Sequence, residues 1–104
     1  MNKYFYSHII EIDTLIIEIK KLDFPEPEKN NLVTLVDNTI YHKVIDVVLS
    51  ELGEEDKQLF LKLLAQDQHK DIWDHLKDKV IDIEDKIKTA VNELIEDFRK
   101  DLEN

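Results

Sequence analysis

Cysteine is absent, which removes disulfides, thiolate catalysis and every cysteine-ligated zinc or iron–sulfur site. Glycine occurs once and proline twice. Strand-rich folds need turn residues about every 8–12 positions, so this shortage argues for helices joined by few, short connections. A single glycine also excludes glycine-rich phosphate loops. Basic residues are scarce: 14 Lys+Arg against 24 Asp+Glu give a formal charge of −10. Such a chain is repelled by phosphate backbones and anionic bilayers, so neither direct nucleic-acid binding nor membrane association is expected. Long hydrophobic runs are missing too. The most apolar stretch, Ile9 to Ile19, is interrupted by Glu11, Asp13 and Glu18, too short and too charged to span a bilayer. Met1-Asn2-Lys3-Tyr4-Phe5-Tyr6 lacks the apolar run of a signal peptide, so a cytoplasmic, soluble protein is expected.

What remains is an ordinary apolar content, 42%, in a chain of 104 residues, enough for one core and one domain, 1–104. The spacing predicts an all-α compact bundle of about five helices: 5–22, 27–52, 54–66, 68–80 and 83–102. In the first, Phe5, Ile9, Ile12, Ile16 and Ile19 recur at spacings of three and four. Ile10 to Asp13 and Ile17 to Lys20 alternate as a strand would, but an unbroken segment of this length is long for a strand. Phe24-Pro25-Glu26-Pro27 ends that helix and opens the second. The second carries Leu32, Val33, Leu35, Val36, Ile40, Val44, Val47, Val48 and Leu52, with a kink allowed near Asp37-Asn38-Thr39. Gly53 is expected to be its left-handed C-cap. Glu54-Glu55-Asp56 puts negative charge at the start of the third, which carries Leu59, Phe60, Leu63 and Leu64. Ile72, Trp73, Leu76 and Val80 mark the fourth. Asp82 with Asp85 resembles a capping box and sets a break near Ile81, a continuous helix being the alternative. The last carries Ile83, Ile87, Ala90, Val91, Leu94, Ile95, Phe98 and Leu102.

From Ile40 to about Ile87 the pattern is distinctive: Lys43-Val44-Ile45-Asp46-Val47-Val48-Leu49-Ser50-Glu51-Leu52, then Glu54-Glu55-Asp56, Phe60-Leu61, Leu63-Leu64, Ile72-Trp73 and Leu76-Lys77-Asp78-Lys79-Val80. This resembles small acidic all-helical bacterial proteins, from candidate-lineage bacteria with reduced genomes, classed only as a domain of unknown function. The resemblance covers under half of the chain and rests mostly on core and cap positions. It implies a shared fold and a bacterial origin, and it carries over no function and no site residue.

Carboxylates and histidines supply the only candidates for chemistry. His8–Glu11, His42–Asp46 and Asp71–His75 each share a helical face, but with so many acids such pairs arise by chance. Di-iron bundles need Glu-x-x-His twice, and the residues three before the histidines are Phe5, Thr39, Gln66 and Ile72. Glu18, Asp46, Asp74 and Asp85 sit nearest the apolar stripes and read as solvated boundary carboxylates. Ser7 and Ser50 lack a nucleophile elbow. No catalytic, metal or cofactor-binding residue is therefore expected, and no cofactor. Trp73 reads as a core or interface anchor. Tyr4, Phe5 and Tyr6 either fold back over the bundle or form a sticky patch. Tyr41-His42 reads as a half-buried pair with polar tips in water.

Residues 82–104 hold eight acids against four bases. That allows an acidic decoy or antitoxin-like inhibitor of a basic protein, although Glu84–Lys88 and Glu96–Lys100 have the spacing of ordinary helix pairs. The function expected by elimination is a non-enzymatic protein–protein interaction or adaptor module, whose partner is another protein or itself as a homo-dimer. The acidic decoy is the alternative.

Overall fold

A computed structural model describes residues 4–10 and 13–103. Among these it shows five helices and no strand: α1 (Asp13–Lys20), α2 (Glu26–Ser50), α3 (Glu54–Ala65), α4 (His69–Lys79) and α5 (Ile83–Glu103). The five-helix fold is the one the spacing predicts, and four helices lie within two residues of their expected bounds.

The first helix is the exception. It was expected over 5–22 and begins instead at Asp13, and residues 4–9 form bends and turns. The Ser7 and Ile9 amides donate to the Tyr4 and Tyr6 carbonyls, both at 3.1 Å, and the Tyr4 amide donates to Ser7 Oγ at 2.9 Å. In a helix the Phe5 carbonyl would accept from Ile9. Here it accepts the indole N–H of Trp73 at 2.7 Å, and the Phe5 and Tyr6 side chains are buried in the core. Tertiary burial of two aromatic residues and one indole bond has overridden a local helical period. On α1 the expected Ile19 is buried, together with Leu15. Ile16 is half-buried, Ile17 is exposed, and Ile12 lies outside the described residues.

Pro25, at φ −57° and ψ 148°, precedes α2, and Pro27 sits in its first turn, where the missing N–H costs nothing. The Pro25 carbonyl accepts from the Glu28 and Lys29 amides at 3.0 and 3.1 Å. The helix then runs unbroken through Asp37-Asn38-Thr39, with the Thr39 hydroxyl donating to the Leu35 carbonyl at 2.7 Å. Its buried positions are Val36, Ile40, Val44 and Val48. A stripe of the same spacing on α5, Ile83, Ile87, Val91 and Ile95, is buried in the same core, and α2 packs chiefly on α5. Residues four apart share one helical face, so each helix offers one continuous ridge. Helix α3 lies on α4, adding Phe60, Ile72, Trp73 and Leu76, and α1 packs on α2.

The connections correct two capping expectations. Gly53 does not close α2 in a left-handed conformation. It is extended, φ −76° and ψ 172°, and caps the start of α3, while Glu51 ends α2. The left-handed positions belong to aspartates, Asp67 at φ 53° and Asp82 at φ 59°. At the end of α3 the Gln68 and Asp67 amides donate to the Leu63 and Leu64 carbonyls, both at 3.1 Å, the paired bonds of a Schellman turn with Asp67 in glycine's place. Asp82 divides α4 from α5, as the break near Ile81 anticipated, but it turns the chain in a conformation unlike the extended backbone of an N-cap.

The molecule measures 46 × 24 × 21 Å with a radius of gyration of 15.2 Å. A compact domain of this size has about 13 Å. The excess comes from α2, whose 25 residues extend roughly 37 Å. Its buried stripe starts only at Val36. Every residue from 26 to 35 is exposed or half-buried.

Candidate functional site

No polar or charged residue falls in the buried class among the described residues. The nearest approach to a catalytic arrangement is His75 on α4. Its side chain is only 8% exposed, and Nε2 stands 3.1 Å from Asp56 Oδ1 on α3. A carboxylate oxygen only accepts, so Nε2 donates this bond, and Nδ1 is buried with no partner among the described residues. The pair ties α3 to α4. It lines none of the recesses described below. The acid four residues before His75, Asp71, was the partner suggested by spacing, yet the imidazole turns to a carboxylate 19 residues away.

The remaining candidates disperse. His8 sets its ring edge-on to Trp73 at 5.4 Å, and Glu11 lies outside the described residues. His42 and Asp46 are both exposed. Glu18 pairs with Arg99 at 3.3 Å, Asp74 with Lys70 at 3.0 Å, and Asp85 is exposed. Glu84 bonds Lys77 across the α4–α5 corner at 3.3 Å, and Glu96 reaches Arg99 at 3.4 Å. Among the described residues no three of His, Asp and Glu converge as metal ligands would.

Two surfaces stand out. The first is aromatic. Tyr4, Phe5 and Tyr6 fold back over the bundle, resolving the alternative left open by the sequence. Phe5 packs against Phe60, Trp73 and Tyr6 with ring centroids 5.4–5.7 Å apart. Tyr4 stacks on Tyr6 at 5.2 Å and 3°, meets Tyr41 at 5.3 Å, and donates its hydroxyl to Asp37 Oδ2 at 2.9 Å. Tyr6 is fully buried, and its hydroxyl has no hydrogen-bond partner among the described residues. Burial, then the neighbouring Tyr4 and the Asp37 carboxylate, push the Tyr6 phenol far above its ordinary range. Beside this cluster lies a recess of about 330 Å³ lined by Tyr4, Phe5, Tyr41 and Leu64, with Asn38, Asp67 and His69 supplying polar groups.

The second surface is apolar. Phe24 and Leu35 are 45% and 56% exposed and flank, with Leu32, Glu28 and Asn31, an open cleft of about 340 Å³ on the free end of α2. Elsewhere Leu59 and Leu61 are exposed on α3, and Ile81 is 84% exposed at the α4–α5 corner. Leu35 and Leu59 were expected to face the core. The helical period of α2 selects Val36 instead, and Phe60 fills the corresponding place on α3.

The aromatic recess is absent from the sequence reading because its walls come from three separated segments. Its only local signal was the bunching of Tyr4-Phe5-Tyr6 and of Tyr41-His42. No helix among the described residues is long and apolar enough to cross a membrane. No protein-family model matches the chain, and neither a curated protein nor a solved structure does.

Proposed function

We propose that this chain acts without catalysis, as a protein–protein interaction module that pairs with a second copy of itself through the cleft of Phe24, Leu32 and Leu35. The observation that carries the proposal is the first ten residues of α2. None of them is fully buried: Leu32 and Val33 pack partly against the core, while Leu35, with Phe24 beside it, keeps a large apolar side chain in water. Charge selects the occupant. Over residues 20–35, Lys20, Lys21 and Lys29 balance Asp23, Glu26 and Glu28, although the whole chain carries −10. Two copies can therefore join here without burying like charges, and a two-fold pairing lets the lysines of each copy meet the acids of the other. A basic partner would find no net attraction at this surface. A specific interface covers about 800 Å² per partner, so the contact extends from the cleft along the free end of α2.

Size-exclusion chromatography with light scattering tests the proposal. The expected result is a dimer that persists at high salt and that Leu35→Asp converts to a folded monomer. A monomer throughout, or recovery only of a basic protein released at moderate salt, would replace this reading with the acidic-decoy one.

A further inference from the structure

We infer that Lys29 is the positioning residue of the Phe24–Leu35 cleft. It ties the connection between α1 and α2 at both ends, and so fixes Phe24 as a wall of the cleft before a second copy arrives. The inference rests on the pairing reading and adds the residue that governs how strongly two copies join.

Two bonds from one residue carry it. The Lys29 ammonium donates to the Lys20 carbonyl at 2.8 Å, and the Lys29 amide donates to the Pro25 carbonyl at 3.1 Å. Lys20 is the last residue of α1 and Pro25 is the residue before α2, so residues 21–24 span two points held by the same residue. Phe24 lies in that span and lines the cleft with Leu32 and Leu35. A short segment closed at both ends has few conformations left to lose, so Phe24 meets a second copy already ordered.

The position of this lysine is otherwise unfavourable. Helix α2 begins at Glu26, so Lys29 stands near its N-terminus, where the helix dipole disfavours a cation. Its side chain is nonetheless only 15% exposed, unusual for a lysine. Glu26 approaches Nζ at 3.8 Å, but through an exposed carboxylate, and such pairs contribute little. What the ammonium gains is the C-terminus of α1, where the dipole favours it. The last four carbonyls of a helix lack partners within it. In α1 the Ile17 and Glu18 carbonyls accept from the Lys21 amide at 3.2 and 3.3 Å, and the Ile19 carbonyl accepts from the Leu22 amide at 3.1 Å. The fourth carbonyl, that of Lys20, is the one Lys29 satisfies. Pairing with the acids of a second copy then falls chiefly to the exposed Lys20 and Lys21.

The test compares dimer dissociation constants by sedimentation equilibrium. Lys29→Met keeps an apolar stem and removes the donor. It should weaken pairing about tenfold, because two Phe24 side chains per dimer must then be ordered on binding. Lys29→Arg keeps a cationic donor and should stay within about twofold of wild type. Phe24→Ala removes the group that Lys29 positions, so Lys29→Met on that background should add less than about twofold, whereas independent sites would lose the full factor again. In Leu35→Asp, where pairing is removed, Lys29→Met should speed exchange of the Lys21 and Leu22 amides at least about threefold and leave those of Val44 and Val91 unchanged. Equal affinity in wild type and Lys29→Met would overturn the inference and leave the pairing reading standing. So would an equal loss in Lys29→Arg, losses that add on the Phe24→Ala background, or unchanged exchange of those two amides. A wild type that stays monomeric up to about 300 µM would overturn both.

Discussion

Asp67 and Asp82 hold the two left-handed positions among the described residues, while the one glycine sits in a conformation open to any residue. A left-handed L-residue costs about 1–2 kcal/mol, somewhat less for aspartate, whose short side chain tolerates it. Asp67→Gly is therefore expected to stabilise the fold by about 0.5–1 kcal/mol in urea unfolding. An unchanged or lower midpoint would mean that the carboxylate makes a compensating bond. Tyr6 presents the opposite case, a fully buried hydroxyl without a partner among the described residues. Removing an unsatisfied buried group recovers part of its desolvation cost, so Tyr6→Phe should be neutral or stabilising by up to about 1 kcal/mol. It should also change the alkaline limb. Folded Tyr6 keeps its proton to higher pH than the unfolded residue, whose phenol titrates near 10.0. Its contribution is thus intact below about pH 10 and is lost as pH rises beyond it. Wild type should lose more stability than Tyr6→Phe between about pH 9.5 and 11, and parallel losses would show that Tyr6 is solvated. Neither aspartate turn was legible in the sequence. A lone glycine was the obvious reader of a left-handed position, and nothing local reveals that an acid holds it instead.

Helices α2, α4 and α5 were legible because their apolar residues recur three and four apart with no competing use for the backbone. Both Val36–Ile40–Val44–Val48 and Ile83–Ile87–Val91–Ile95 are spaced by four and are buried as such. The first helix was over-read for a physical reason. Phe5 and Ile9 continue the period of α1, but the Phe5 carbonyl is claimed by an indole 68 residues away. That bond is the element-scale hinge of the fold, holding the N-terminal turns on α4. Trp73→Phe keeps most of the apolar volume and strands the carbonyl. It should cost about 1–3 kcal/mol and speed exchange of the Ser7 and Ile9 amides, which close the turns around it. A cost below about 0.5 kcal/mol would show that water or another donor replaces the indole. The His75–Asp56 contact escaped sequence reading in the same way, since α3 and α4 bring together residues whose helical neighbours offered nearer partners.

At the scale of the whole molecule, cross-helix ion pairs use several of the few cations. Arg99 on α5 reaches Glu18 on α1 at 3.3 Å, Lys86 reaches Glu51 at the end of α2 at 3.0 Å, and Lys77 reaches Glu84 at 3.3 Å. Each is worth at most about 1 kcal/mol at a surface, and the chain's charge excess lies outside the balanced residues 20–35. The elongated shape has the same origin as the proposed contact: the fully buried stripe of α2 begins at Val36, and the turns before it are covered only in part, by the packing of Leu32 and Val33. Length and charge were legible in the sequence. The exposure of Leu35 was not, because it looks as apolar as Leu32 and Val33, which pack partly against the core, and as the residues that follow.

The most direct test is sedimentation equilibrium of the wild type and of Leu35→Asp over about 10–300 µM, at low and at high salt. Pairing through a charge-balanced apolar face predicts a wild-type dimer that salt does not weaken. It also predicts a Leu35→Asp monomer with unchanged helicity and association at least about tenfold weaker, since an aspartate buried there would lack a partner. A wild type that remains monomeric across the range, or a Leu35→Asp dimer of equal affinity, would contradict it.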